Sequence, residues 1–139
     1  MPYNLRNRFV IATSTRALFD LSRENEIFEK QGLEAYEDWQ IKHEDTPWSP
    51  GVAFPLIRTM LALNDYLPEN RGVEVIVVSR NSPAIALRFG SSLKKYGLPI
   101  SRYVFTSGEC VAKYLDELQV NLFLSANVVD VKNAHQSGV

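Results

Sequence analysis

Short apolar runs alternate along this chain with amphipathic stretches. Four of the runs read as buried strands: "FVIAT" (9–13), "VEVIVVS" (73–79), "RYVFT" (102–106) and "NLFLS" (121–125). Each is rich in β-branched or aromatic residues and is bounded by polar or turn residues. Two are nearly continuous in apolar character, the pattern of strands covered on both faces of a parallel sheet. Between the runs the periodicity becomes helical. Ser22 is placed to cap a helix that stops near Gly32, with Asn25 where a capping box calls for Glu. "LEAYEDWQIKHE" (33–44) predicts a second helix, with Leu33, Tyr36 and Gln40 along one stripe and Trp39 beside it. "TPWSPG" (46–51) reads as a turn cluster, and Pro55 suits the first turn of a helix through "LIRTMLALNDYL" (56–67). Asn81 or Ser82 opens the next helix, with Pro83 near its start and Gly97 as its stop. "ECVAKYLDEL" (109–118) predicts another, and Asn127 caps a last one.

The order β-α-α-α-β-α-β-α-β-α implies right-handed crossovers and an α/β fold with a doubly wound, mostly parallel sheet. Ligands in such sheets sit beyond the carboxyl ends of the strands, where strand order reverses. If the first strand is central, Thr13–Arg16, Ser79–Ser82 and Ser125–Asn127 share one neighbourhood. Its candidate groups are the hydroxyls of Thr13, Ser14, Thr15, Ser79 and Ser125, the amides of Asn81 and Asn127, and the cations Arg16 and Arg80. Lys113 is expected to reach in from the helix before the last strand. Such groups donate hydrogen bonds to anions, and a phosphate would be comfortable among them. The alternative is a set of ordinary loop caps on a solvated rim.

No carboxylate lies at the end of any predicted strand; the nearest is Asp20. A divalent ion such as Mg²⁺ binds through carboxylates and substrate phosphate, so no metal site is expected in this chain. A Thr hydroxyl is a poor nucleophile without an adjacent base, and neither His43 nor His135 falls near Thr13. No catalytic residue is therefore assigned. "HED" (43–45) reads as a solvated charge cluster, Trp39 and Trp48 as packing residues, and Cys110 as a small packed residue.

Composition narrows the remaining choices. A length of 139 residues, 45% of them hydrophobic, suits a single domain with a sizeable core. A formal net charge of -1 offers no basic excess for a nucleic-acid partner. The single cysteine fits a reducing compartment. "MPYNLRNRF" lacks the apolar run of a signal peptide, and no segment is long enough to cross a bilayer. A cytoplasmic chain with no membrane partner is the expectation, and homo-oligomerisation stays open.

Three segments carry a resemblance. "TSTRALFDLSRENEIFEKQGLEAYEDWQIKHEDTPWSPGVAFPLIRTMLALN", "VVSRNSPAIALR" and "NLFLSANVVDVKNA" closely resemble the N-terminal half of the cytosolic type I 5'-nucleotidase family, from about Phe9 to Ala134. The resemblance implies a three-layer, haloacid-dehalogenase-like (Rossmann-like) fold. It also implies an intact enzyme that hydrolyses nucleoside monophosphates with Mg²⁺. In that family two distantly similar halves follow one another, and the later half carries the Asp-x-Asp motif. This chain corresponds to the degenerate earlier half, with Thr13 and Thr15 where an active half has its Asp pair. Ser79 would match the phosphate-binding hydroxyl and Lys113 the superfamily's Lys, while Ser125 and Ala126 replace its acidic pair. Residues 1–139 are thus expected to be the N-terminal half of a chain about twice as long, incomplete as a catalyst without its C-terminal half.

Overall fold

Alternation inside the apolar runs decides which helix layer each strand residue meets. The computed structural model describes residues 4–139; Met1–Tyr3, part of the stretch read above as lacking a leader, lie outside the described residues. The elements in chain order are β1 (Phe9–Thr13), α1 (Thr15–Leu18), β2 (Phe19–Asp20), α2 (Ser22–Gln31), α3 (Leu33–Lys42), β3 (Ser49–Pro50) and α4 (Phe54–Ala62). They continue with β4 (Val73–Ser79), α5 (Ala86–Tyr96), β5 (Arg102–Phe105), α6 (Ala112–Glu117), β6 (Leu122–Leu124) and α7 (Val128–Gln136). Four strands form one parallel sheet in the order β5-β4-β1-β6. The first strand is central, as the shared neighbourhood requires. The chain steps outward from β1 to β4 and β5, then returns to lay β6 on the other side of β1. Strand order reverses between β1 and β6, so a crevice opens there at the carboxyl edge.

Both faces of the sheet are covered. Ile11, Val75 and Val77 point to a layer with Leu18, Phe54, Ile57 and Phe89 from α1, α4 and α5. Val10, Ala12, Ile76 and Val78 point to the opposite layer, with Val111, Leu115 and Ala134. This is the three-layer α/β architecture, consistent with the Rossmann-like, haloacid-dehalogenase-like class. Two asparagines fix the strand starts. The Asn121 amide oxygen accepts from Val10 N–H at 2.8 Å, and Asn64 bonds both Val73 N–H (2.6 Å) and Val73 C=O (2.9 Å).

Several boundaries differ from the sequence reading, each for a local reason. Ser22 does not cap α2: it is the first helical residue, and its hydroxyl and backbone N–H both donate to Asp20. The helix expected over 56–67 ends at Ala62 and tightens into a 3₁₀ turn at Leu63–Asp65, where Asn64 turns toward Val73. The helix expected over 109–118 begins at Ala112, because the left-handed turn at Ser107 and Gly108 spends the preceding residues. Leu33 does not share the buried stripe of Tyr36 and Gln40; it is 53% exposed. Gly32 and Gly97, with φ of +90° and +62°, end α2 and α5 as expected. β2 and β3 pair antiparallel as a two-residue ribbon beside α1. Gly51 follows it at a place no side chain can occupy, since a Cβ would stand 2.6 Å from the Ala17 carbonyl oxygen.

Candidate functional site

A cleft of about 380 Å³ opens at the carboxyl edge of the sheet. Eight of the ten expected residues line it: Ser14, Thr15, Arg16, Ser79, Arg80, Asn81, Ser125 and Asn127. The turn after β1 supplies the first three, the end of β4 the next three, and the β6–α7 turn the last two. Two expected residues do not line it. Thr13 is fully buried, its side chain points into the apolar layer beneath the crevice, and its hydroxyl has no hydrogen-bond partner. Lys113 lies on an exposed face of α6, paired with Glu109 one turn earlier at 2.8 Å. The hydrogen bond that Lys113 donates to Glu109 raises the Lys113 pKa and holds its charge outside the cleft.

The buried end of the cleft is a side-chain network. Thr15 Oγ1 lies 2.9 Å from Ser79 Oγ and accepts from Asn81 Nδ2 at 2.9 Å. Asn81 Oδ1 in turn accepts from Ser82 N–H at 3.2 Å and from the Tyr36 hydroxyl. Ser14 and Asn127 are caps as well as lining: each side-chain oxygen accepts a backbone N–H, from Ala17 and Asp130 respectively. These two side chains thus act as loop caps, while Thr15, Ser79 and Asn81 bond to one another.

Sequence reasoning missed one charge. Asp130, in the first turn of α7, is 3% exposed and lines the cleft. Its carboxylate accepts from Arg80 Nε at 2.9 and 3.0 Å and from Arg80 Nη2 at 2.6 Å. Arg80 is thus committed to an internal partner, and its pKa is raised by that hydrogen bonding. Arg16 also lines the cleft and forms no ion pair among the described residues. The signal for Asp130 was present in "NVVD": an Asn cap followed three residues later by an acid resembles a capping box.

An apolar wall was missed too. Leu21, Phe28, Leu33 and Tyr36 line the cleft from α2, α3 and the residue before α2. Phe28 meets Tyr36 edge to face at 5.9 Å and remains 47% exposed. Burial pushes the Tyr36 hydroxyl pKa up, against the lowering pull of Gln40 and Asn81. The folded-state value therefore exceeds the unfolded value of about 10. Neutral Tyr36 contributes stability that is complete below that value and is lost as pH rises through the folded one. An alkaline titration followed by tyrosinate absorbance should show a late-ionising component, and Tyr36→Phe should remove it.

The donor set can be tested against Mg²⁺, the ion that the resemblance implies. That ion calls for carboxylate oxygens. Among the described residues no group of three or more His, Cys, Asp or Glu is placed to hold a metal. Among the described residues Asp130 is the one acidic residue lining the cleft, and Arg80 occupies it. The residues present do not fit Mg²⁺. The arrangement offers hydroxyl and amide donors, one unpaired guanidinium and an apolar wall.

Comparison with known proteins agrees with the resemblance. The model of the 5'-nucleotidase family matches residues 1–139. Cytosolic 5'-nucleotidase 1B of Homo sapiens is similar at 29% identity over 143 residues, a stretch covering 99% of this chain and 23% of that protein. The chain thus spans about a quarter of the length of this curated relative. No solved structure matches. No described helix is long and apolar enough to cross a membrane. The match along its whole length makes this chain a member of the 5'-nucleotidase family.

Proposed function

We propose that this chain is the non-catalytic N-terminal part of a cytoplasmic enzyme that hydrolyses nucleoside 5'-monophosphates to nucleoside and phosphate. On this reading the Mg²⁺ and the Asp-x-Asp motif belong to the C-terminal half, and this part supplies scaffold and a surface for the nucleoside monophosphate. The observation that carries the proposal is the state of the two alcohols at the end of β1. Thr13 is sealed in the apolar layer with an unpartnered hydroxyl. Thr15 is fully buried and bonded to Ser79 and Asn81. Neither hydroxyl has a His, Asp or Glu partner to take its proton, so neither is an activated nucleophile.

Ser14, Ser79, Asn81, Ser125 and Asn127 surround a volume that Arg16 makes electropositive, which supports a phosphate-holding role. A purely structural role draws support from the Arg80–Asp130 pair, because a cation bonded internally is not available to a ligand.

The test is phosphate release from AMP or IMP by the purified chain in Mg²⁺. The expected rate equals that of buffer. Turnover abolished by Thr13→Ala or Thr15→Ala would overturn the reading.

A further inference from the structure

The network at the buried end of the cleft has a direction. Asn81 Oδ1 accepts from Tyr36 and from Ser82 N–H, so its Nδ2 must be the end that donates to Thr15. Thr15 Oγ1 therefore accepts from Asn81 and has one proton to place. Its side chain is 0% exposed, and its only other partner among the described residues is Ser79 Oγ. A buried hydroxyl proton left without an acceptor is costly. The satisfied arrangement has Thr15 donating to Ser79. Ser79 Oγ already accepts from Thr15 and, at 3.4 Å, from Asn81 N–H. Its own proton then has no acceptor among the described residues, although Ser79 lines the cleft.

We propose that Tyr36, Asn81, Thr15 and Ser79 form a one-way hydrogen-bond relay that makes Ser79 a donor into the cleft, selecting an oxyanion ligand without a metal ion. Each member donates to the next, so the bonds polarise one another and strengthen the last one. Arg16 supplies the unpaired positive charge at the same cleft. The exposed parts of Phe28 and Leu33 supply apolar contact for a ring attached to the anion. The ligand class is a phosphate, free or esterified to a flat ring system. Tyr36 is a positioning residue: it touches no anion but orients the Asn81 amide and polarises the chain that ends at Ser79. It also ties the α3 wall to the turn after β4, so ring contact and anion contact form in one frame. This inference rests on the phosphate-holding reading of the cleft and adds its metal independence and its polarity.

The experiment is calorimetric titration of the purified chain in EDTA with AMP, inorganic phosphate and adenosine, on wild type, Ser79→Ala and Tyr36→Phe. AMP and phosphate should bind in EDTA. Ser79→Ala should weaken both by about tenfold, the scale of a lost hydrogen bond to a charged group. Tyr36→Phe should weaken both by roughly two- to threefold through lost polarisation. Adenosine, held through Phe28 and Leu33, should bind all three proteins alike, which a general loosening of the fold would not allow. The relay is overturned if AMP binds all three proteins equally or if the variants lose adenosine in the same proportion. The metal independence is overturned if AMP and phosphate bind only when Mg²⁺ is added, or do not bind at millimolar concentration. Absence of binding with or without Mg²⁺ would overturn both this inference and the phosphate-holding reading, whereas binding only with Mg²⁺, or binding unchanged by the variants, would overturn this inference alone.

Discussion

Arg88→Ala should destabilise the domain by about 3–5 kcal/mol, the cost of breaking a buried ion pair from one side. Arg88 is 6% exposed and joins three segments. Its Nη1 donates to Glu24 of α2 at 2.9 Å and to Gln40 of α3 at 2.8 Å, and its Nε donates to the Thr46 carbonyl at 2.8 Å. Glu24 is the only buried residue of α2, and this ion pair ties that helix to α5. Removing the guanidinium leaves the Glu24 carboxylate and the Gln40 amide oxygen buried without that donor. A shift of roughly 10–20 °C in the unfolding midpoint is expected, measurable by circular dichroism. The paired change Glu24→Met with Arg88→Met should recover most of the loss, because no uncompensated charge then remains. Equal damage from the double and the single change would show that the ion pair is not the cause. The effect should also reach the cleft, since α2 carries Asn25 and Phe28 of its wall.

Phe19→Ala is the second large effect, expected at about 3–5 kcal/mol. Phe19 is 0% exposed, and its ring meets four others: Trp48 at 5.6 Å, Phe54 at 6.3 Å, Phe89 at 6.3 Å and Tyr96 at 6.1 Å. Those rings come from α4, α5 and the residue before β3, so a void there has rigid walls on several sides and cannot close cheaply. Phe19→Leu should cost less, since it leaves a smaller void. Denaturant midpoints for the two variants give the comparison. A loss below about 1 kcal/mol for Phe19→Ala would mean that the surrounding rings collapse into the space. The backbone N–H of Phe19 also closes α1 on the Thr15 carbonyl, so the change should disturb the turn that presents Arg16.

The legible parts of this molecule are those written in local pattern. β1 and β4 showed themselves as β-branched runs, whereas the central position of β1 was a condition that only the strand order met. Asn127 and Gly97 were readable as cap and stop because cap chemistry is local. The β2–β3 ribbon was not readable, because two residues carry no periodicity. Lys113 was misplaced because its direction depends on the rotational phase of α6, although Glu109 one turn earlier already suggested a solvated pair. Arg88 and Glu24 lie 64 residues apart, and Arg80 and Asp130 lie 50 apart; no window along the chain joins them. The cleft's hydroxyls were found from their place after strands. Its wall was hidden because Phe28 looks like an ordinary surface apolar residue and Leu33 was assigned to the buried stripe of its helix.

The place of β1 bears on how the molecule is made. It leaves the ribosome ahead of the strands it bonds to, since β4 and β6 emerge more than sixty and more than a hundred residues later. At about 5–20 residues per second, Val10, Ile11 and Ala12 stay unpaired for several seconds in the nascent polypeptide. Until then this stretch is a target for holdase chaperones and for wrong edge-to-edge pairing. Both pairings of β1 are non-local, which slows closure of the sheet.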